Sequence, residues 1–421
     1  MDSDLLRRAQ KILPGVAQTY SKGPDQHVSG LYPVYLVRGE GCRVWDTEGR
    51  SYIDYPCALG PMVLGYRDPD VDAAVMDQLA LGTTFSLANP LEVTVAEAIV
   101  EMIPGAEMVR FLKTGSEATT AAVRLSRAYT GRDHVAMCGY HGWHDWSIAH
   151  TARGKGVPEA VARLTHQWTY NDIDSLRAIF DDNPGHVGTV IMEPVGIEEP
   201  SPGFLESARD LAHERGALLI FDEIITGFRF APGGAQEYFG VVPDLSAFGK
   251  ALANGLPLAA VVGRADVMEQ VATTTFISST FGGETLSLAA AGATLAKIRA
   301  GGVIEHLWRA GEAIKDAFNE SADQHGVPAR MMGYAPRRIM AISPPNGVDA
   351  NLLKGLVWQE CLDRGVLLGN ANFVSLAHDA AAVAETANAF DGALAAVADH
   401  LASDPASHLR GAPPGEVFRQ P

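Results

Sequence analysis

The chain has 421 residues, 47% of them hydrophobic and 20% charged, and a formal net charge of −17. That length suits one large domain with a smaller one, and that composition an ordinary globular protein. The acidic balance, with no basic stripe, argues against a nucleic-acid partner, because phosphates must be met by clustered Lys and Arg. The four cysteines, Cys42, Cys57, Cys138 and Cys361, are widely spaced without a CxxC pair, so neither a disulfide framework nor a zinc site is expected. The first residues, MDSDLLRRAQKILPG, hold no apolar core of signal-peptide length, and no apolar run reaches the about 18 residues that span a bilayer. The expectation is a cytoplasmic enzyme of small molecules, with no membrane, nucleic acid or metal involved.

In chain order, Val34 to Tyr55 (PVYLVRGEGCRVWDTEGRSYIDY with its leading proline) reads as short strands and turns around Gly39, Gly41 and Gly49. From about residue 91, strand-length apolar runs (HVAMC, VGTVIMEPV, ALLIFDEI, LAAVVG) alternate with helical stretches such as Ser116 to Tyr129 and Gly203 to Arg215. Such alternation predicts a mostly parallel sheet covered on both faces, an α/β fold. After about 303 two long helical stretches surround the strand-like RIMAIS and GVLLG, and a Pro/Gly-containing tail after Ser407 is expected to be loosely ordered. The predicted organisation is a large domain over 61–302 and a small α+β domain made from 1–60 and 303–421.

Four segments carry candidate chemistry. In Phe111-Leu-Lys-Thr-Gly-Ser-Glu-Ala-Thr-Thr120 an apolar stretch runs into a helix whose start, at Gly115 and Ser116, suits a phosphate; a plain N-cap is the alternative. Gly139-Tyr-His-Gly-Trp-His-Asp-Trp146 follows a strand, where α/β sheets place ligand loops. Tyr140 and Trp143 there offer flat faces. His141, His144 and Asp145 invite a metal reading, but a third well-spaced ligand is missing. In Leu218-Leu-Ile-Phe-Asp-Glu-Ile-Ile-Thr-Gly-Phe-Arg229 the carboxylate of Asp222 ends an apolar strand and needs a cationic partner, either a protonated ligand nitrogen or a protein group such as Arg229. In Asp244-Leu-Ser-Ala-Phe-Gly-Lys-Ala-Leu-Ala-Asn-Gly255, Lys250 follows Gly249 into an apolar stretch; burial would favour the neutral amine that forms a Schiff base, unless it merely snorkels. Together the four supply a phosphate cup, a stacking aromatic, an acid for a pyridine nitrogen and a Schiff-base lysine, the requirements of a pyridoxal 5′-phosphate (PLP) site.

FDEIITGFR followed by PDLSAFGKALANGLPLAAVVG resembles the signature of the class III aminotransferases of PLP fold type I. GEGCRVWDTEGRSYIDY, VRFLKTGSEATTAAVRLSRAYTGR, YHG, VIMEPV and STFGG have family counterparts in the same order, and the nearest likeness is to the glutamate-1-semialdehyde 2,1-aminomutase group and related aminotransferases. The resemblance implies that Lys250 and Asp222 are the catalytic pair, that Tyr140 stacks on the cofactor ring with Ile224 on its other face, and that Gly115 and Ser116 hold the phosphate. It implies further that Glu193 lies near the cofactor hydroxyl or substrate, and that Thr280 reaches the phosphate of a neighbouring subunit, which makes a homodimer with shared active sites the minimal unit.

The chain departs from the aminomutase pattern where substrate is gripped. Gly15-Val-Ala-Gln-Thr-Tyr-Ser-Lys22 replaces an expected Ser and Arg, and Gly369-Asn-Ala-Asn-Phe-Val-Ser-Leu-Ala-His378 carries Asn370 and Asn372 in place of an acid. Neutral amides suit hydroxyl or carbonyl groups better than an ammonium. The expected activity is therefore intermolecular transfer from a glutamate-like amino donor to a carbonyl acceptor, in ping-pong fashion. Intramolecular exchange as in the aminomutase is the alternative, ahead of a PLP decarboxylase or racemase or an inactive binding protein. Arg338, or else its neighbour Arg337, is the candidate for the donor carboxylate, with Asn370 and Asn372 assigned to the acceptor.

Overall fold

The computed structural model describes residues 3–196 and 198–415. The described residues divide into two compact units, one running from Pro69 to Ile304 and the other made from 3–68 and 305–415. Sequence reading set these divisions at 60 and 302.

The unit from Pro69 is built on seven strands, β1 (Met108–Leu112), β2 (His134–Cys138), β3 (Thr165–Gln167), β4 (Val187–Met192), β5 (Leu218–Asp222), β6 (Leu245–Phe248) and β7 (Ala259–Gly263). Their spatial order is β1-β7-β6-β5-β4-β2-β3. Only β7 runs against its neighbours; the pairs from β6 through β3 are parallel. Strands β4, β5, β6 and β7 are buried along their whole length. That explains the apolar runs of β4, β5 and β7, because helices cover both faces of such a sheet. The three strands that the hydrophobic runs did not single out are β1, β6 and the three-residue β3, each short or mixed in character.

Helix α1 (Gly115–Thr130) lies on this sheet through Ala118, Ala121, Ala122 and Leu125, whose neighbours include Ile220, Leu245 and Ala247. Alanines on that stripe let helix and sheet approach closely, and Gly131 in the left-handed region (φ 67°) ends the helix. Strand β1 is antiparallel to β7, which is antiparallel to β6, so β1 points the same way as the parallel set. All the motif segments named above therefore follow the carboxyl ends of strands at one end of one sheet: Gly115 after β1, Tyr140 after β2, Glu193 after β4, Asp222 closing β5 and Lys250 after β6. This is where open α/β sheets bind ligands.

In the other unit, strands Leu36–Glu40, Arg43–Asp46 and Ser51–Asp54 form an antiparallel meander that Val366–Leu367 extends in parallel. A second sheet joins Ala329–Met332, Arg337–Ile342 and Asn372–Phe373. Three long helices occur after residue 302, at Val303–His325, Ala350–Asp363 and Ala380–Leu401, where two were expected. The middle one is buried from Gly355 to Leu362 without a break, so it lacks the polar stripe by which a helix is read from sequence. The tail is also better anchored than expected. Ser29 and Ala412 exchange main-chain hydrogen bonds of 3.1 and 3.0 Å, and the amide of Arg410 donates to Gln359 Oε1 at 2.9 Å. Residues 416–421, the rest of that expectation, lie outside the described residues. No helix among the described residues is long and apolar enough to cross a membrane.

Candidate active site

The start of α1 is organised by a reciprocal cap. Thr114 Oγ1 accepts from the amide of Glu117 (3.3 Å), and Glu117 Oε2 accepts from the amides of Lys113 and Thr114 (2.9 Å each). This uses the third free amide of the helix, while Gly115 and Ser116, its first two residues, have no intrahelical acceptor for theirs. The sequence offered a choice between an N-cap and a phosphate cup. Thr114 does the capping, which leaves Ser116 for other use.

The Tyr-His-Gly loop is pressed against that cup. The amide of Trp143 donates to Ser116 Oγ at 3.3 Å. A Cβ at Gly142 would stand 2.7 Å from Ser116 Cβ and 2.9 Å from its Cα, and Gly142 has φ +110°. Only glycine accommodates both the contact and the backbone. Gly142→Ala should therefore push the loop off Ser116 and weaken cofactor binding by about 10- to 100-fold, the equivalent of 1–3 kcal/mol of backbone strain. An equilibrium titration of apoenzyme with cofactor measures it, and an unchanged dissociation constant would contradict the proposed cup.

Asp222 is 5% exposed and His141 2% exposed. Asp222 Oδ2 lies 2.7 Å from His141 Nδ1, and its Oδ1 accepts from the amide of Ile224 at 3.1 Å. His141 Nε2 is 3.0 Å from the carbonyl of Cys138, which can only accept, so Nε2 carries a hydrogen there. The imidazole thus faces an oxygen on each side, and it orients the carboxylate at the end of β5. Sequence reading had left Asp222 open to a protein partner such as Arg229; the partner in the structure is His141. The signal lay in the shared placement of both residues at the carboxyl ends of β2 and β5, the strands on either side of β4, but which side chain turns inward is not visible in a sequence. His144 Nδ1 instead meets Thr120 Oγ1 (2.8 Å), so the histidines of this loop have different partners. No group of three potential metal ligands converges among the described residues.

Ile224 is half-buried against the core beneath α1. A Cβ at either Gly115 or Gly249 would come within 3.1 Å of Ile224 Cδ1, so this side chain lies beside both the helix start and the backbone preceding Lys250. Lys250 is half-buried and has φ 43°, in the left-handed region that a non-glycine residue adopts at a cost of about 1–2 kcal/mol. Such strain is retained where the surrounding fold holds it. Glu193, half-buried, points toward Gly139, where a Cβ would stand 3.5 Å from Glu193 Oε1. Burial, then Glu193, pushes the Cys138 thiol up to about 12, so it is no nucleophile. Tyr140 is half-buried between Gly139 and His141, and Trp143 is 69% exposed with its ring edge-on to His144.

Thr280 is exposed on a loop flanked by Phe276 (82% exposed) and Phe281 (55%). Cations from β1, from α1 and from the link between them hold this loop. Arg110 donates to the carbonyl of Ile277 (2.6 Å), Arg124 to that of Phe276 (3.0 Å), and Lys113 pairs with Glu284 (3.1 Å).

The proposed donor and acceptor residues are placed differently from expectation. Arg338 is fully buried, and its guanidinium donates to the main-chain carbonyls of Gly311 (3.1 Å), Ala335 (2.6 Å) and Phe373 (3.3 Å). It ties a strand to its surroundings, and binding a carboxylate would require breaking those bonds. Arg337 is half-buried on the same strand. Asn372 is also fully buried, with Oδ1 accepting from the amide of Gly369 (3.0 Å) and Nδ2 donating to its carbonyl (2.9 Å). Both ends of that amide close a turn with Gly369. Asn370 is half-buried and receives a hydrogen bond from Lys354.

The chain is similar to known proteins over most of its length. A 3-aminobutyryl-CoA aminotransferase of Cloacimonas acidaminovorans is 39% identical over 78% of this chain and 80% of its own length. A glutamate-1-semialdehyde 2,1-aminomutase of Roseiflexus castenholzii is also 39% identical, over 95% of this chain and 96% of its own. Among solved structures, the PLP internal aldimine form of the FumI protein of Sphingopyxis sp. MTA144 superposes with a TM-score of 0.89 at 32% identity, covering 95% of this chain and 97% of that one. Residues 25–386 match the family model "Aminotransferase class-III", and with strands, cup and strand-end residues in this order the chain belongs to the class-III aminotransferases.

Proposed function

We propose that this enzyme moves an amino group from an amino-acid donor, of glutamate type, to a carbonyl acceptor in two alternating half-reactions. Pyridoxal 5′-phosphate is the cofactor. The observation that carries the reading is the convergence, at one end of one sheet, of a helix start whose first two amides are left open, a buried carboxylate oriented by an imidazole, and a lysine held in a strained backbone.

These residues fit the cofactor. The amides of Gly115 and Ser116 and the positive end of α1 suit its phosphate. Ser116 Oγ already accepts from Trp143, so its own hydrogen is available to a phosphate oxygen. Ile224, beside Gly115 and Gly249, offers an apolar surface for one face of a ring, and Tyr140 is assigned the other. Bound there, the cofactor supplies an electron sink for charge developing at the donor α-carbon. Asp222 keeps a proton on the ring nitrogen, and His141 holds the carboxylate in place for that task. The Lys250 amine carries the proton away from the α-carbon and returns it on the far side of the exchange, a general acid–base role. Glu193 is assigned to the vicinity of the cofactor hydroxyl or substrate.

The homodimer is part of this reading, as is a cytoplasmic setting. Exposed Phe276 and Phe281 beside Thr280 suit a protein partner better than water, and Thr280 is assigned to the phosphate of the neighbouring site. Mixing inactive Lys250→Ala subunits with inactive subunits disrupted at Thr280 tests it: one site in each mixed dimer would carry both defects and the other neither. Recovery of about one active site per mixed dimer is expected; no recovery, with mixed dimers demonstrated, would mean that each subunit is self-sufficient.

Intramolecular exchange is the second reading, favoured by the Roseiflexus relative, whose name is that of an aminomutase. Half-reactions decide between them. The cofactor spectrum should bleach with an amino-acid donor, release a keto product, and return when a different carbonyl compound is added. Exchange confined to one carbon skeleton would support the aminomutase, and bleaching by no donor would defeat both.

A further inference from the structure

Three adjacent strands of the seven-stranded sheet gather histidines toward their amino ends, away from the end that carries Asp222 and Lys250. His134 opens β2, His166 is the middle residue of the edge strand β3, and His186 directly precedes β4. Ala136 is the partner of His166 across the parallel pair, so the pleat sets His134 and His166 on the same face. Their rings have centroids 5.1 Å apart, and the ring of His186 lies 5.4 Å from that of His134. A fourth histidine, His150, comes from the segment leading into β3 and is near enough to disfavour charge on His166. The length of β2 keeps the cluster about 13 Å from the Tyr140 loop.

His166 Nε2 and His134 Nδ1 are 3.0 Å apart, and both residues are half-buried. Two nitrogens at that distance either share one hydrogen or aim both lone pairs at one cation. Ligands bound to a metal at about 2.1 Å and at right angles stand about 3.0 Å apart, whereas a tetrahedral pair stands about 3.4 Å apart. The histidines that pair with carboxylates among the described residues are His141, His213, His325 and His400, none of them in this cluster. Burial, then His134 and His150, holds the His166 pKa below its ordinary value. The neutral imidazole that results is the form that ligates transition metals. His150 is oriented for the same use. Its Nε2 is 3.0 Å from the carbonyl of Ala162, so that nitrogen carries the hydrogen and Nδ1 keeps its lone pair.

We propose that His134 and His166 chelate a divalent transition-metal ion of the nickel or copper type, which accepts right-angle nitrogen ligands, at a site separate from the catalytic end. Three ligands do not converge there among the described residues. Rotation of the exposed rings of His150 and His186 supplies further nitrogens, and water fills the remaining positions. The hydrogen shared in the empty pair moves to the outer nitrogen of its own ring, His134 Nε2 or His166 Nδ1, so the pair releases no net proton. The bound ion acts as a clip. It ties β3, only three residues long, to β2, and anchors the segment between them, whose regular structure is two helices of four residues.

The test is calorimetric titration of the cofactor-loaded enzyme with NiCl₂ at neutral pH in a non-chelating buffer. One ion per chain, with a dissociation constant of about 1–100 µM, is expected. His134→Gln and His166→Gln should each weaken binding at least about 10-fold while leaving turnover and the cofactor spectrum unchanged, and either serves if the other does not fold. His325→Gln, which removes a ring paired with Asp391, should leave the affinity intact. At ten times the dissociation constant, nickel should raise the melting temperature of the wild type by about 2–4 °C and that of His166→Gln by much less. No wild-type binding tighter than about 1 mM would overturn the proposal. Equal affinity in both glutamine variants would do so too, because it means an adventitious ion only. A nickel-induced change in cofactor absorbance would place the ion at the cofactor instead, and binding without a rise in melting temperature would refute the clip.

Discussion

Lys250→Ala should fold, retain cofactor, and lose multiple turnover by about 10⁴-fold or more, since it removes both the attachment point and the proton carrier. Stability should change little, because the side chain is only half-buried. Replacing a residue at φ 43° by alanine leaves the backbone demand unaltered. Lys113, which follows the carboxyl end of β1, is held by Glu284 at 3.1 Å and so is not free to substitute. Added small amines should restore part of the activity by carrying the proton instead. Turnover near the wild-type rate without added amine would remove Lys250 from its proposed role.

Asp222→Asn should keep the fold and the cofactor but slow donor deprotonation by about 10²- to 10³-fold. The asparagine amide can meet His141 Nδ1 with either its oxygen or its NH2, so the hydrogen bond at 2.7 Å does not have to be lost. What is lost is the negative charge that holds a proton on the ring nitrogen, and with it the electron sink. Single-turnover decay of the cofactor absorbance, with an α-deuterated donor as control, isolates this step. A normal rate would mean that ring protonation does not run through Asp222.

The sequence was most legible where one property decides the outcome. Unbroken apolar runs such as Val187–Met192 and Leu218–Asp222 betrayed strands covered on both faces, and their order along the chain placed the motif loops at one end of the sheet. It was least legible where several partners compete for one side chain. Asp222 needed a partner on any reading, but only the tertiary fold shows that His141 turns inward while His144 turns to Thr120. Arg338 looked like a substrate arginine because its strand was recognisable; its burial among three carbonyls depends on segments near residues 311, 335 and 373. Asn372 is a similar case, since its turn with Gly369 is local but its burial is not.

The most direct test of the central claim is to reduce the cofactor-loaded enzyme with borohydride, digest it, and locate the cofactor by mass spectrometry. A single phosphopyridoxyl group on the peptide containing Lys250 is the expected result. The same group on another lysine, or none on any peptide while bound cofactor is present, would contradict the assignment of the active site.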